Sequence, residues 1–389
     1  GGPIAEGVRG RLAVQRIKRD GYGVNEFTGN EIDNANQWSG RAHLEFLPSD
    51  SVNILLTGEY HREDDRSLAI KFREVSFPGV LNDNIAANDG LSALGQRLNA
   101  DGSQARFATN PRNVATNFDP INDREQWALT AAITVDASDA VSIKSLTSYR
   151  SFDAIFFHDF DMSTYLGYPW QPVFQHQFSQ ELQANVDTDK FHGVFGLFYL
   201  DEQIEVENHI GLDVLTNTDP FRVQFDGRLD VKTWAAFANL TYDLSDQFSV
   251  KAGARYSWEE RRLRNQAGLG SAALNRLVLD PMQWDATKSW DDFSPSLGFE
   301  FRPNDDLMLY GNWSRGFKSG TAEIGSTRKL SATQPLPFVD PEKVEAFEVG
   351  SKYSAGALSA NLAVFFQRLK NGQFSLTRAI PTPPFFTST

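Results

Sequence analysis

The amino-acid sequence predicts an all-β fold, an antiparallel transmembrane β-barrel wall with short turns at one rim and long loops at the other. Three observations predict it. Apolar and polar residues alternate over long stretches, tight polar turns recur between those stretches, and aromatic residues fall at two heights along them.

The alternation is clearest near residue 250. Val250, Ala252, Ala254, Tyr256 and Trp258 stand at every second position, with Lys251, Gly253, Arg255, Ser257 and Glu259 between them. Successive side chains of a strand point to opposite faces, so this stretch has one greasy face and one wet face. The stretch before it repeats the pattern with Trp234, Ala236, Ala238, Leu240 and Tyr242 against Thr233, Asn239, Thr241 and Asp243. Leu244-Ser245-Asp246-Gln247 joins the two as a tight polar turn.

Similar turns stand at Pro48-Ser49-Asp50-Ser51, Ala137-Ser138-Asp139-Ala140, Asp187-Thr188-Asp189-Lys190, Pro303-Asn304-Asp305-Asp306 and Ser354-Ala355-Gly356. After the first two they recur roughly every 50 to 60 residues, a spacing at which repeat architecture is sought. Long Gly-, Asn-, Asp- and Pro-rich connections fall between them, at 19–36, 64–122, 152–174, 207–227, 261–288 and 318–340, with a short helix expected over 82–98. Structureless loops of that length count against a compact soluble domain, whereas short turns at one rim and long loops at the other are the asymmetry of a membrane barrel.

The aromatic residues give a geometric check. Phe248 follows a turn and Trp258 lies further along the same strand. At about 3.3 Å per residue and a tilt of about 45°, they stand roughly 23 Å apart along the membrane normal, close to the height of the apolar band of such a barrel. Val52 with Tyr60, Phe191 with Tyr199, Leu307 with Tyr310 and Trp313, and Tyr353 with Phe365 and Phe366 repeat the pattern approximately. About thirteen strands are expected, from near Gly7 to near Ser375. Bacterial barrels close with even numbers, so the wall is expected to continue past Thr389 or to be completed by another segment.

Composition narrows the function. The 389 residues include no cysteine, which removes a disulfide scaffold, a thiolate metal site and a cysteine nucleophile together. A formal charge of -13 without clustered Lys and Arg speaks against a nucleic-acid partner. No run of about 18 apolar residues occurs, which excludes a helical membrane span. No Gly-x-Ser-x-Gly elbow, His-Glu-x-x-His or phosphate-binding loop is present. Asp64-Asp65, Glu259-Glu260 and Asp291-Asp292 are adjacent pairs, which on a strand face opposite ways and cannot act together. The expectation is therefore no enzyme activity, no catalytic residue, no metal site and no cofactor.

Two segments carry a specific resemblance. Met308-Leu309-Tyr310-Gly311-Asn312-Trp313-Ser314-Arg315-Gly316-Phe317-Lys318-Ser319-Gly320 is similar to the Tyr-x-x-Tyr-Ser-x-Gly-Phe-Lys-x-Gly strand of TonB-dependent outer-membrane receptors. Downstream, Pro341-Glu342-Lys343-Val344-Glu345-Ala346-Phe347-Glu348-Val349-Gly350-Ser351-Lys352 resembles that family's Pro-Glu-x-x-x-x-Tyr-Glu-x-Gly-x-Lys. Gly1-Gly2-Pro3-Ile4 resembles the Gly-Gly-x-Ile stretch that ends the family's plug, and Thr28-Gly29-Asn30 and the run Arg41 to Pro48 fit its first barrel hairpins.

The resemblance implies the end of a plug-to-barrel connection over 1–6 and a partial barrel domain over 7–389, within a wall of about 22 strands. It implies a place in the outer membrane of a Gram-negative bacterium, among lipid and lipopolysaccharide. Short turns would lie on the periplasmic side and long loops outside. The implied function is active uptake of a scarce nutrient (ferric siderophore, cobalamin or oligosaccharide) with energy delivered by the TonB complex. A passive porin or substrate-specific channel, a surface adhesion or structural barrel, and a soluble all-β hydrolase are the alternatives.

Two groups of residues are candidates for binding. His158, Asp159 and Asp161 place three ligand-type side chains close together in an expected outer loop, and Tyr165, Tyr168 and Trp170 follow with surfaces suited to stacking on a sugar or an aromatic chelate. A solvated loop and interfacial aromatics are the bland alternatives. Lys251, Arg255, Glu259, Glu300 and Arg302 are expected to face the lumen, where they would meet a plug, a passing ligand or one another.

Overall fold

In the computed structural model the period-2 stretches become long strands. The structure describes residues 1–67, 69–71, 108, 110–116, 118–157, 169–212, 221–271, 276–277, 282–322, 324, 338–374, 377–379 and 386–388. In chain order the strands among them are β1 Gly2–Ala5, β2 Val8–Arg19, β3 Gly23–Val24, β4 Glu31–Ile32, β5 Ala35–Ser49, β6 Val52–Asp65, β7 Ile121–Ser138, β8 Val141–Phe157, β9 Pro169–Asp187, β10 Phe191–Leu212, β11 Phe221–Ser245, β12 Phe248–Ser271, β13 Arg276–Leu277, β14 Met282–Asn304, β15 Leu307–Lys318, β16 Glu342–Ala355, β17 Leu358–Lys370, β18 Thr377–Ala379 and β19 Phe386–Ser388. One 15-stranded sheet runs β1-β2-β5-β6-β7-β8-β9-β10-β11-β12-β14-β15-β16-β17 with β13 beside β12, and its ladders are antiparallel between sequence neighbours. Pairing of successive strands in this way is a meander, in which the tight turns set the register.

Each of the six sequence-predicted turns joins two strands of this sheet. An additional turn at Glu6-Gly7 was not anticipated: Gly7 has φ +67, and the turn folds β1 back along β2, so that Gly2 to Ala5 are sheet residues. At the other end β17 stops at Lys370, short of Ser375. The strands also run further into the polar connections than composition suggests. Leu212 still pairs Phe221, and Ala267 still pairs Met282. Continuing a ladder satisfies backbone groups whatever the side chains are, and composition does not register that gain. The helix expected over 82–98 lies outside the described residues.

The two faces of the sheet are chemically distinct. On one, an aromatic row follows the register from strand to strand. Tyr60 lies opposite Trp127, the Trp127 and Tyr149 rings are 5.3 Å apart, and Tyr149 lies opposite Phe178. Phe178 is 6.3 Å from Tyr199, Tyr199 is 4.3 Å from Trp234, and Trp234 lies opposite Trp258. Beyond β14 the row resumes with Trp313 6.5 Å from Phe347, which faces Phe366.

Nearer the turns, Phe248 contacts both Phe299 and Phe301 at 6.2 Å, and Phe191 lies opposite Tyr242. Between the two rows Leu129, Leu197, Leu297 and Val349 are each more than half exposed. An apolar band of this extent between aromatic girdles is a lipid-facing surface. Tyr310 departs from the expected girdle. Standing three residues from Trp313 on one strand, it must point the other way, and its hydroxyl donates to Glu348 Oε1 at 2.7 Å.

Candidate functional site: the polar face and its loop end

The opposite face carries Thr57, Glu59, His61 and Glu63 along β6, Lys251 to Glu259 at odd positions along β12, and Ser296, Gly298 and Glu300 along β14. All five residues expected to face a lumen lie on these rows or at their ends, and most are already paired. Lys251 bridges to Glu300, and Arg302 approaches Glu300 at 3.2 Å. Glu259 binds Arg261 at 2.6 Å and accepts from the Thr233 hydroxyl at 3.4 Å. The Arg255 guanidinium lies 5.4 Å from the Phe198 ring and 5.7 Å from that of Phe237. Such a wall is hydrophilic and charge-balanced, able to line an aqueous path.

Of the outer-loop candidates, His158, Asp159, Asp161, Tyr165 and Tyr168 lie outside the described residues. Trp170 is not a loop residue: its backbone is part of β9, opposite Phe157 on β8 and His209 on β10. The ladder there persists past the expected loop boundary for the same backbone reason as above. Adjacent carboxylates separate as the pleat requires. Asp291 lies opposite Trp258 on the aromatic face, whereas Asp292 lies opposite Ser257 on the polar face.

Three features of the polar face and loop end escaped the sequence reading. The first is a cleft of about 510 Å³ on β2, β5, β6 and β7, whose lining includes Arg11, Arg41, His43, Glu59, His61 and Gln126. Within it Ser39 Oγ and His61 Nδ1 are 2.8 Å apart, and His43 Nδ1 is 2.9 Å from the Thr57 hydroxyl beside it.

The second is a polar clasp between the β3–β4 hairpin and residues 114–116, 118 and 119. Asn25 is fully buried, and its Nδ2 donates to Thr116 O at 3.0 Å, Phe118 O at 3.2 Å and Asp119 Oδ1 at 3.1 Å. Its Oδ1 accepts from the Phe27 and Thr116 amides at 3.1 and 3.2 Å. Thr28 and Asn30 each donate to Asp119 at 2.6 Å, with Gly29 between them at φ +77, so the Thr-Gly-Asn run makes the turn that presents both groups.

The third lies at the loop end of β11, β12 and β14. Leu229, Val231 and Leu263 form a small apolar shelf on the otherwise polar face, covered by Ala322, Ile324 and Phe338 from the β15–β16 connection. Below it Asp292, 4% exposed, binds Arg315 at 2.9 Å and Lys343 at 2.6 Å and accepts from the Ser294 hydroxyl at 3.1 Å. A buried carboxylate persists only when paired and hydrogen-bonded, as here. The members of this cluster come from three strands, so no local spacing announces them.

Strands tall enough to cross a bilayer, apolar and aromatic on one face and polar on the other, define the wall of a transmembrane barrel. The comparisons then fix the family. A family profile described as TonB dependent receptor-like, beta-barrel, matches residues 60–388, and the chain belongs to that family of outer-membrane transport receptors. The pesticin receptor of Yersinia enterocolitica is 26% identical over 197 residues, covering 50% of this chain and 27% of that protein.

Among solved structures, the ferric yersiniabactin uptake receptor of Yersinia pestis superposes with a TM-score of 0.70 at 18% identity, over 96% of this chain and 51% of that one. The copper transporter OprC matches with a TM-score of 0.63 at 14% identity, over 97% and 51%. The ferric-catecholate import receptor of E. coli K12 gives 0.61 at 11% identity, over 99% and 56%. These likenesses concern the fold, and the chain spans about half the length of the solved receptors.

Proposed function

We propose that the chain forms much of the wall of an outer-membrane receptor that takes up a scarce nutrient, a ferric siderophore foremost, with energy delivered by TonB. The observation that carries the reading is the two-faced sheet, an apolar band between aromatic girdles backed by a charge-balanced polar face. It is joined to a family match across most of the chain. In this reading the short turns face the periplasm, the long connections face outward among lipid and lipopolysaccharide, and the polar face lines a water-filled lumen. Two of the structural relatives take up ferric chelates, which favours an iron chelate over cobalamin or an oligosaccharide. Binding needs no covalent chemistry: residues from several outer connections, with the 158–168 segment among the candidates, would surround the ligand above the lumen.

The test is uptake of radiolabelled ferric chelates by cells with and without the gene, under iron limitation and with TonB intact or deleted. Accumulation of one chelate should require both the gene and TonB. Accumulation that needs the gene but persists without TonB would instead assign a passive channel, and loss of no chelate would remove the iron assignment.

A further inference from the structure

A glycine inside a strand weakens it, and marks either a crowded neighbour within the sheet or a close approach from outside. Several glycines of this wall are of the first kind. A Cβ at Gly196 would fall 2.2 Å from the Phe237 ring, at Gly311 2.6 Å from the Phe299 ring and at Gly350 2.6 Å from the Tyr310 ring. Gly40 on β5 and Gly58 on β6 are different. A Cβ at Gly58 would meet nothing nearer than Leu129 Cδ2 at 3.6 Å, and one at Gly40 nothing nearer than Ala13 O at 4.0 Å, and neither residue has a positive φ. Neither crowding nor backbone conformation within the wall accounts for them.

Both lie on the lipid-facing side, Gly58 opposite Ala42 and Leu129, and Gly40 opposite Tyr60 of the aromatic row. Gly58, Ala42 and Ala131 leave a groove of about 950 Å³ on that side, lined also by Leu12, Leu129 and Tyr149. An empty groove forfeits contacts, so in a bilayer hydrocarbon fills it. Loopward of the groove, Trp38 lies between Arg16 and Arg62 in one cross-strand row. The Arg16 guanidinium sits 4.8 Å from the Trp38 ring centre, and its hydrogen bonds go to neutral acceptors, the Gln37 carbonyl at 2.9 Å and Asn36 Oδ1. Lys18 follows on the same face of β2. Of the nearby acids, Asp123 and Glu125 are engaged by Arg62 at 2.8 and 3.3 Å, so the positive charge free to meet an anion stands at Arg16 and Lys18.

We propose that this is a lipid site. A lipopolysaccharide molecule of the outer leaflet lays one acyl chain in the groove over Gly58 and sets a lipid A phosphate against Arg16 and Lys18. A guanidinium held flat by an indole is preorganised for paired hydrogen bonds to phosphate, and a basic cluster at the edge of an apolar band is the arrangement that selects an anionic headgroup. The inference rests on the outward orientation of the long connections in the transport reading, and on nothing about the nutrient taken up.

The test titrates the full receptor, held in phosphatidylcholine nanodiscs, with bis-phosphorylated lipid A, its dephosphorylated form and phosphatidylglycerol, and counts bound lipid by native mass spectrometry. Lipid A should bind most tightly. Arg16→Gln with Lys18→Gln should weaken it about tenfold, the scale of a lost charge-assisted hydrogen bond, and leave the dephosphorylated form unchanged. Gly58→Leu, for whose Cβ the wall has room, should weaken both forms alike by filling the groove. Should that variant fail to assemble, Ala42→Leu fills the same groove and is read the same way. Phosphatidylglycerol binding as tightly as lipid A, or lipid A binding that neither kind of variant moves, would overturn the site. Failure of the transport reading is separately visible: TonB-independent uptake with these affinities intact removes that reading alone, and TonB-dependent uptake without selective lipid A binding removes this site alone.

Discussion

The polar clasp around Asn25 and the apolar shelf around Leu263 both bury loop residues at the open end of the wall, by opposite means. In the clasp every contact is directional: one amide serves carbonyls, a carboxylate and two backbone N–H groups, so the hairpin has a single satisfied position. On the shelf the contacts are apolar and non-directional, and Trp290 Nε1 and Ser319 Oγ beside them have no partner among the described residues. A hydrogen-bond network selects one geometry, whereas an apolar contact is non-directional and selects only proximity.

The comparison can be broken most severely at Asn25. Asn25→Asp sets a second carboxylate against Asp119 in a fully buried site, and an uncompensated buried charge should cost about 3–5 kcal/mol. Equilibrium unfolding from vesicles, combined with amide exchange over 23–32 and 110–119, reads it. An unchanged midpoint and unchanged exchange there would mean that the clasp is incidental. Leu263→Ala empties the centre of the shelf, where Leu263 is fully buried, and is expected to cost about 2–4 kcal/mol. Its signature should differ: exchange rises over 319–324 and not over 23–32.

Gly320→Ala sharpens the contrast on a smaller scale. The added methyl meets the Val339 carbonyl and the Trp290 ring, so about 1–3 kcal/mol of overpacking is expected, seen as a changed Trp fluorescence and faster amide exchange over 319–322. Neutral behaviour would show that this contact already yields freely. The smallest effect belongs to the open wall. Arg41→Gln removes a largely exposed pair with Glu59 and should shift stability by less than about 1 kcal/mol, so a larger loss in the same unfolding assay would show that the polar face is more rigid than its exposure implies.

Much of the fold was legible because its signal is local. The pleat turns Val250, Ala252, Ala254, Tyr256 and Trp258 to one side whatever surrounds them, and Leu244 to Gln247 reverse the chain on their own chemistry. Where the reading went astray, the same rule corrects it. Tyr310 cannot share a face with Trp313, and of the neighbours Phe365 and Phe366 it is Phe366 that lies opposite Phe347 in the aromatic row. The candidate site was legible only as a polar face. Lys251, Arg255, Glu259, Glu300 and Arg302 follow from periodicity, but nothing near Asp292 in the sequence announces Arg315 or Lys343.

By itself the sequence determined the two-faced strands, the turns that fold them and the height of the aromatic rows, because each depends on residues a few positions apart. Tertiary structure alone decided which polar groups meet, Asn25 with Thr116 across 91 positions and Asp292 with Lys343 across 51, and where the β14–β15 pairing stops, beside Pro295. Those partners are set by the sheet's lateral order and register. These add up over whole strands and leave no trace in any short window of residues.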